Sequence, residues 1–228
     1  DGTILRVVRF AAPHSVPIVG VNMGRVGFMT ELSVDEAEEK LPQYLNGGVR
    51  IEERMMLQAS VRSVSEVDPH LVVHALNDVV LTRGSIARLL DIETKIDGVV
   101  LTTYRADGVI VATPTGSTGY ALSAGGPILY PEAQQILLQP LAAHMSFQTG
   151  IVIAVDSFIE LSARGDHEAV LNVDGFSDTV ISSGDIVSVE KSPQNARFLR
   201  GDSPSAFYST LTMGLGVSGR QVPPSPSM

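Results

Sequence analysis

The stretch Asp107–Pro127 carries the densest set of groups able to do chemistry. Val109-Ile110-Val111 is a buried-strand triplet, and Pro114 ends the strand because it has no N–H for a ladder. Thr113, Thr115, Ser117 and Thr118 then place hydroxyls beside Gly116 and Gly119. Such a loop can bring backbone N–H groups and hydroxyls close to phosphates or ribose oxygens, and it can equally be a tight structural turn. A second glycine cluster, Gly20–Phe28, follows a short apolar run, but it is not the G-x-G-x-x-G dinucleotide fingerprint. Asn77-Asp78 lies inside an apolar strand, where neighbouring side chains face opposite ways. Both need partners unless they stand at a strand end or bulge, so a strand-edge pair and a ligand contact stay open. Asp107 and Asp174 suit turns as well as sites, and Asp1-Gly2-Thr3 alone is a common turn sequence.

Other chemistries find little support. His70 and His74 share the i, i+4 spacing of a helical zinc motif, yet they flank a strand-like segment that sets them far apart, which argues against zinc. Gly116-Ser117-Thr118-Gly119 lacks the spacing of a nucleophile elbow, and no Walker loop is present.

These residues need elements to position them. A short helix is expected over Arg6–Ala12 and a short strand over Val16–Val21. Ser33 with Glu36 forms a capping box opening a helix through Leu45, with Asn46-Gly47-Gly48 as its stop. From Val49 the pattern changes to strands at Val49–Arg62, Leu71–Arg83, Leu89–Ile96 and Val99–Arg105, with Asp97-Gly98 as a hairpin turn. Further strands are expected at Ile151–Val155, Phe158–Ala163, Ala169–Val173, Thr179–Ile181, Ile186–Lys191 and Arg197–Arg200, with turns such as Gly165-Asp166 between them. A helix is expected over Pro131–Gln139 and another over Ser205–Leu215. Pro223-Pro224-Ser225-Pro226 reads as a disordered tail. The fold class is α/β plus all-β: a partial α/β domain over 1–48, a β-sandwich-like domain over 49–200, and a C-terminal segment over 201–228.

The chain has 228 residues, enough for one large domain or two small ones. A net charge of −9 disfavours nucleic acid and, more weakly, an anionic membrane surface. No apolar run approaches the roughly 20 residues of a bilayer span. With no cysteine, disulfides and thiolate metal sites are excluded, and a cytoplasmic setting is compatible.

Taken together these segments resemble the NAD kinase family, in order and over nearly the whole chain. Asp1-Gly2-Thr3-Ile4-Leu5 is similar to the end of its Gly-Gly-Asp-Gly-Thr motif, and Gly20–Glu31 to its Gly-x-Asn-x-Gly-x-x-Gly-Phe segment. Ala75–Asp78 matches its Ala-Leu-Asn-Glu/Asp site. Asp107–Pro127 matches its long Thr-Pro-x-Gly-Ser-Thr stretch, and Asn172–Gly175 is similar to its later Asp-Gly turn. The resemblance implies a Rossmann-like N-terminal domain joined to a β-rich domain, with the C-terminal segment returning to the first. It implies transfer of the γ-phosphoryl of ATP, or of polyphosphate, to the adenosine-ribose 2′-hydroxyl of NAD, with Mg²⁺, in a homodimer or homotetramer. Asp1 would be the base. Gly2 would cradle phosphate and Phe28 would lie on the adenine. Asn77 and Asp78 would hold the NAD ribose, and Asp107, Thr115, Thr118, Gly119, Tyr120 and Ser123 would line the pocket. Arg83 and Asp174 are further candidates, and the metal ligands stay unknown.

This sequence departs from the family pattern in places. The two glycines and the strands expected ahead of Asp1 do not precede it, which points to missing upstream sequence on the ATP side. Gly119 stands where Ala is frequent, Phe176 where Gln is common, and Gln148-Thr149-Gly150 where an Arg-Pro pair is common. Two alternatives follow: a truncated or inactive NAD-binding homologue, and a related lipid kinase sharing Gly-Gly-Asp-Gly-Thr.

Overall fold

The computed structural model describes residues 1–24, 27–84, 89–144, 147–165, 168–176 and 178–214. The Pro-rich tail, Arg25-Val26 of the Gly20–Phe28 cluster and Asp166 of an expected turn lie outside the described residues.

Helix α1 runs over Gly2–Ala11, and a 3₁₀ turn continues it through His14. It starts four residues before the expected Arg6. The cause is its apolar stripe, since Ile4, Leu5, Val8 and Ala11 recur at helical spacing and are all buried. Asp1-Gly2 is therefore a helix start, with Asp1 as N-cap, and not a free turn. The expected strand from Val16 shrinks to one parallel bridge, Ile18 to Phe198, because Pro17 offers no N–H. Regular pairing begins only with β1 (Val21–Asn22), parallel to β2 (Leu32–Ser33). Helix α2 (Val34–Leu45) opens on the expected box. The Glu36 N–H donates to Ser33 Oγ at 3.3 Å, and the Ser33 N–H donates to Glu36 Oε2 at 3.1 Å.

Two six-stranded antiparallel sheets follow. The first has the order β4-β3-β14-β11-β6-β7, built from β3 (Arg50–Ser63), β4 (Leu71–Ala75), β6 (Leu90–Ile96), β7 (Val99–Ala106), β11 (Ile159–Arg164) and β14 (Asp185–Arg200). The second has the order β10-β9-β8-β5-β12-β13, built from β5 (Asp78–Arg83), β8 (Gly108–Ala112), β9 (Gln135–Leu141), β10 (Ile151–Ala154), β12 (Ala169–Val173) and β13 (Asp178–Ile181). Their facing residues, among them Leu57, Leu81, Tyr104, Val111, Leu138 and Val189, form the main core.

The second sheet is covered on its other face too. Val80, Ile110, Ala112, Leu137 and Leu141 pack there against Ala121, Ala124 and Leu129. Double burial explains why β8 and β9 are apolar at consecutive positions rather than alternating. It also overturns the helix expected over Pro131–Gln139. Glu132–Gln135 are good helix formers, but the run Ile136-Leu137-Leu138 fills both faces of the sheet and tertiary burial wins.

Two further strands differ from expectation. Leu71–Arg83 breaks at Leu76-Asn77, so that β4 belongs to the first sheet and β5 to the second. The two last strands are one, β14, with a bulge between Lys191 and Asn195, where Pro193 cannot donate to the ladder. A third apolar cluster ties α1 to the end of the first sheet: Ile4, Leu5 and Val8 meet Met29, Met56, Leu76 and Phe198. Helices α3 (Tyr120–Ser123) and α4 (Ala206–Gly214) complete the chain, and the Phe207 ring of α4 meets Tyr130 edge-on at 5.5 Å.

Ser33→Ala removes one side of the capping box and should cost about 1 kcal/mol, or ~2–4 °C in Tm. Thermal unfolding checks this, and an unchanged Tm would show that α2 does not depend on its cap.

Candidate active site

The crossing between the sheets builds the site. As the chain leaves β4 it loses ladder partners, and the Asp174 carboxylate replaces them. It accepts the N–H groups of Leu76 at 2.8 Å, Asn77 at 2.7 Å and Asp78 at 3.0 Å. Asp174 itself sits in the left-handed region (φ 53°), in the turn that follows β12. It is thus both the turn residue and the group that orients the Asn77-Asp78 backbone.

The glycine loop closes on the same crossing from the other side. The Thr113 hydroxyl donates to Leu76 O at 2.5 Å and accepts the Gly116 N–H at 3.0 Å. Gly116 lies so close to the Asn77 backbone that a Cβ there would overlap it. Ser117 ties the loop to its own flank, donating to Pro114 O at 2.6 Å and accepting the Leu129 N–H at 2.9 Å. Thr118 donates to Thr115 O at 3.1 Å. Among the described residues, Asn77 Oδ1 and Thr115 Oγ1 are buried without a protein partner, as are a few core atoms such as Tyr104 OH, and of these two residues Asn77 faces a cavity.

A cavity of about 360 Å³ opens beside this crossing. Asn77, Asp78 and Thr82 line it from β5 and its approach, Asn172 and Asp174 from β12 and its turn, Asp178 from β13, and Tyr120 from α3. Asp178 and Thr82 were not among the candidates, although strand alternation puts Thr82 on the face of Asp78 and pairing puts Asp178 opposite Asn172. Burial pushes the Asp78 carboxyl up to about 7, and the neighbouring Asp174 adds to this. Burial raises Asp174 too, but its three N–H donors and Arg9 pull it back. The proton of the pair therefore resides on Asp78.

Helix α1 reaches the same place. Arg6 and Arg9 lie over the Phe176 ring at 5.7 and 5.4 Å, just past the Asp174-Gly175 turn, and Leu76 packs in the α1 cluster. Asp1, at the head of α1, makes no capping bond. Its carboxylate instead accepts the N–H groups of Phe28 at 3.2 Å and Met29 at 3.3 Å. Gly2 is in the first turn, where helical N–H groups have no internal partner and suit an anion.

Other candidates lie apart. Phe28 lines a second cavity of about 280 Å³ with Arg54, Arg200 and Phe207, which neither Asp1 nor Asp78 lines. Asp107 pairs with Arg83 at 3.1 Å at the opposite end of the β5–β8 pair, where Arg83 is five residues, roughly 17 Å, along the strand from Asp78. Gly119 lies between the 3₁₀ turn and α3, and Ser123 ends α3 exposed at the surface. Among the described residues, no three His, Cys, Asp or Glu side chains converge to hold a metal ion.

Residues 1–49 match the ATP-NAD kinase N-terminal domain and residues 76–201 match the ATP-NAD kinase C-terminal domain. The chain belongs to the NAD kinase family. It is 40% identical over 216 residues to the NAD kinase of Chloroflexus aurantiacus, covering 94% of this chain and 77% of that protein. It is 42% identical over 210 residues to the NAD kinase of Geobacter sp. (strain M21), covering 91% and 72%. The crystal structure of yeast NADH kinase complexed with NADH superposes with a TM-score of 0.88 at 28% identity, covering 96% of this chain and 64% of that one. That of an NAD kinase from Archaeoglobus fulgidus in complex with ATP gives 0.78 at 31% identity, covering 96% and 81%. With the family established, a lipid kinase is set aside.

Two substitutions test this geometry. Gly116→Ala forces a methyl group into the Asn77 backbone and should cost about 3 kcal/mol or more, read by urea unfolding. Asp78 prefers its protonated form in the fold, at about 7 against 3.8 for the ordinary side chain. Its contribution to stability is full below about pH 4 and is lost as the pH rises toward 7. Neutral Asp78→Asn should therefore be more stable than the native protein at pH 8, by about 4 kcal/mol at most, and the gap should close by pH 4. A native protein more stable at pH 8 would contradict this assignment.

Proposed function

We infer that this protein is an NAD kinase, transferring the terminal phosphoryl of ATP to the 2′-hydroxyl of the NAD adenosine ribose to give NADP. The observation that carries this reading is that α1, the helix headed by Asp1, packs against Leu76 of the crossing in one small core, within a chain 40% identical to a curated NAD kinase over nearly its whole length.

A ribose hydroxyl is a poor nucleophile, and a carboxylate within hydrogen-bond reach can orient it and take its proton. We assign that role to Asp1, whose carboxylate two backbone N–H donors keep aimed. The N–H groups at the head of α1, Gly2 included, favour the charge of the transferring phosphoryl. Asn77 and Asp78 bind ribose hydroxyls, with Asp78 able to donate or accept near neutral pH. Thr115, Thr118, Gly119, Tyr120 and Ser123 form the wall for the dinucleotide, supported by the exposed Tyr120 ring on the cavity and the unpartnered Thr115 hydroxyl. An extended dinucleotide must run the length of β5 to reach Asp107 and Arg83. Phe28 serves the adenine only if that ring enters the second cavity. Magnesium accompanies ATP as part of the donor, and no step is assigned to a metal held by this chain.

The division into 1–48, 49–200 and 201–228 belongs to the same proposal. The cavity shared by loop 27–33 and α4 supports a C-terminal segment that returns to a Rossmann-like N-terminal part. A homo-oligomer working in the cytoplasm follows from the family resemblance. Among the described residues, no helix is long and apolar enough to cross a membrane.

The test is incubation of the full-length protein with ATP, Mg²⁺ and either NAD or NADH, with the product read by an NADP(H)-specific dehydrogenase. NADP should accumulate, and no product from either acceptor would overturn the reading. Asp1→Asn should lower turnover at least 1,000-fold while NAD affinity stays within a few-fold, an order of magnitude suited to loss of a base. An active variant would remove Asp1 from that role.

A further inference from the structure

We propose that Arg54 is a positioning residue for the catalytic carboxylate, acting through the peptide group between Phe28 and Met29, with Arg200 holding the next turn of the same loop. This rests on the reading of Asp1 as the base.

The loop that grips Asp1 has no regular structure of its own over Gly27–Glu31. Its fit to Asp1 is close, for a Cβ on Gly27 would collide with that carboxylate. Something must hold it from behind, and that support comes from β3 and β14. Alternation puts Arg50, Glu52 and Arg54 on one face of β3, and this face is the buried one. Arg54 is 3% exposed and Glu52 6%, whereas Ile51 between them is 52% exposed. The usual polarity of a strand is reversed here.

The buried charges form one connected network. Glu52 Oε1 accepts from Arg54 Nε at 2.7 Å and from Arg200 Nε at 3.2 Å. Arg200 Nη1 donates to Glu31 Oε2 at 2.8 Å and to Thr30 O at 3.2 Å. Glu31 also accepts the Tyr44 hydroxyl at 2.9 Å and the Gly201 N–H at 2.7 Å. Both guanidinium groups lie over the Phe198 ring, at 5.0 and 5.5 Å.

The network ends at the loop, where Arg54 Nη2 donates to Phe28 O at 3.4 Å. That carbonyl and the Met29 N–H belong to one planar peptide group. Fixing the oxygen fixes the direction of the N–H, which donates to Asp1 Oδ1 at 3.3 Å. A buried ion network is poor value as a source of stability, because desolvating its charges offsets most of their attraction. Its geometry suits orientation.

The test compares Arg54→Met and Arg54→Lys with the native full-length protein. In Arg54→Met, hydrogen exchange at the Met29 amide should rise at least tenfold. kcat should fall 10- to 100-fold with KM for NAD within threefold. Arg54→Lys keeps a cation without the planar fork and should show the same changes at smaller size. Unchanged Met29 exchange in a folded variant would overturn the proposal whether or not NADP is formed. So would a kcat like that of the native protein. If Arg54→Met does not fold, native exchange in Arg54→Lys has the same force. Absence of NADP from the native protein would count against the kinase reading alone.

Discussion

Three consecutive backbone N–H groups depend on one side chain. Leu76, Asn77 and Asp78 leave one sheet and enter another, and over that step their N–H groups turn from strand neighbours to a side chain. An unpaired buried amide costs about as much as a lost hydrogen bond. The Asp174 carboxylate takes all three. The rest of the structure follows from that arrangement. The β12 turn must stand beside the crossing, which places β12 next to β5. The glycine loop can then close over the same backbone, with Gly116 at the point of contact. The burial that makes Asp174 an effective acceptor is also what raises its neighbour Asp78.

Function draws on the same constraint. The crossing exposes Asn77 and Asp78 at the edge of a cavity, and Leu76 on the other side packs under α1. One short segment thus couples the cavity wall of the second sheet to the helix that carries Asp1. Asp1 is fixed from its far side by the 27–31 loop. Asp1 and Asp78 are remote in sequence; two backbone N–H groups hold the Asp1 carboxylate, and the backbone of Asp78 is fixed by its bond to Asp174.

Much of this was legible in the sequence. The capping box at Ser33, the Asp97-Gly98 hairpin, the strand before Pro114 and the small-residue loop after it all rest on local chemistry, and local chemistry survives folding. The Asn77-Asp78 pair was recognisable as an anomaly, since two adjacent polar residues cannot both be satisfied inside a regular strand. The resolution, a strand break held by Asp174, needs a contact across 96 positions or more and has no local signature. Strand β9 was misread for a similar reason. Its helix-forming start is outweighed by a sheet buried on both faces, and that second layer comes from residues 121–129. Arg54 and Arg200 gave no signal at all, because charged residues in a strand normally face water.

The central claim is that the Asp1 carboxylate and the Asn77-Asp78 crossing form two sides of one nucleotide site. A crystal structure of the full-length protein with NAD tests it most directly. The adenosine-ribose 2′-hydroxyl should lie about 3 Å from an Asp1 carboxylate oxygen, with part of the same dinucleotide bonded to Asn77 Oδ1 or Asp78. NAD bound wholly within the cavity between Phe28 and α4, with no contact to Asp1 or Asp78, would contradict it.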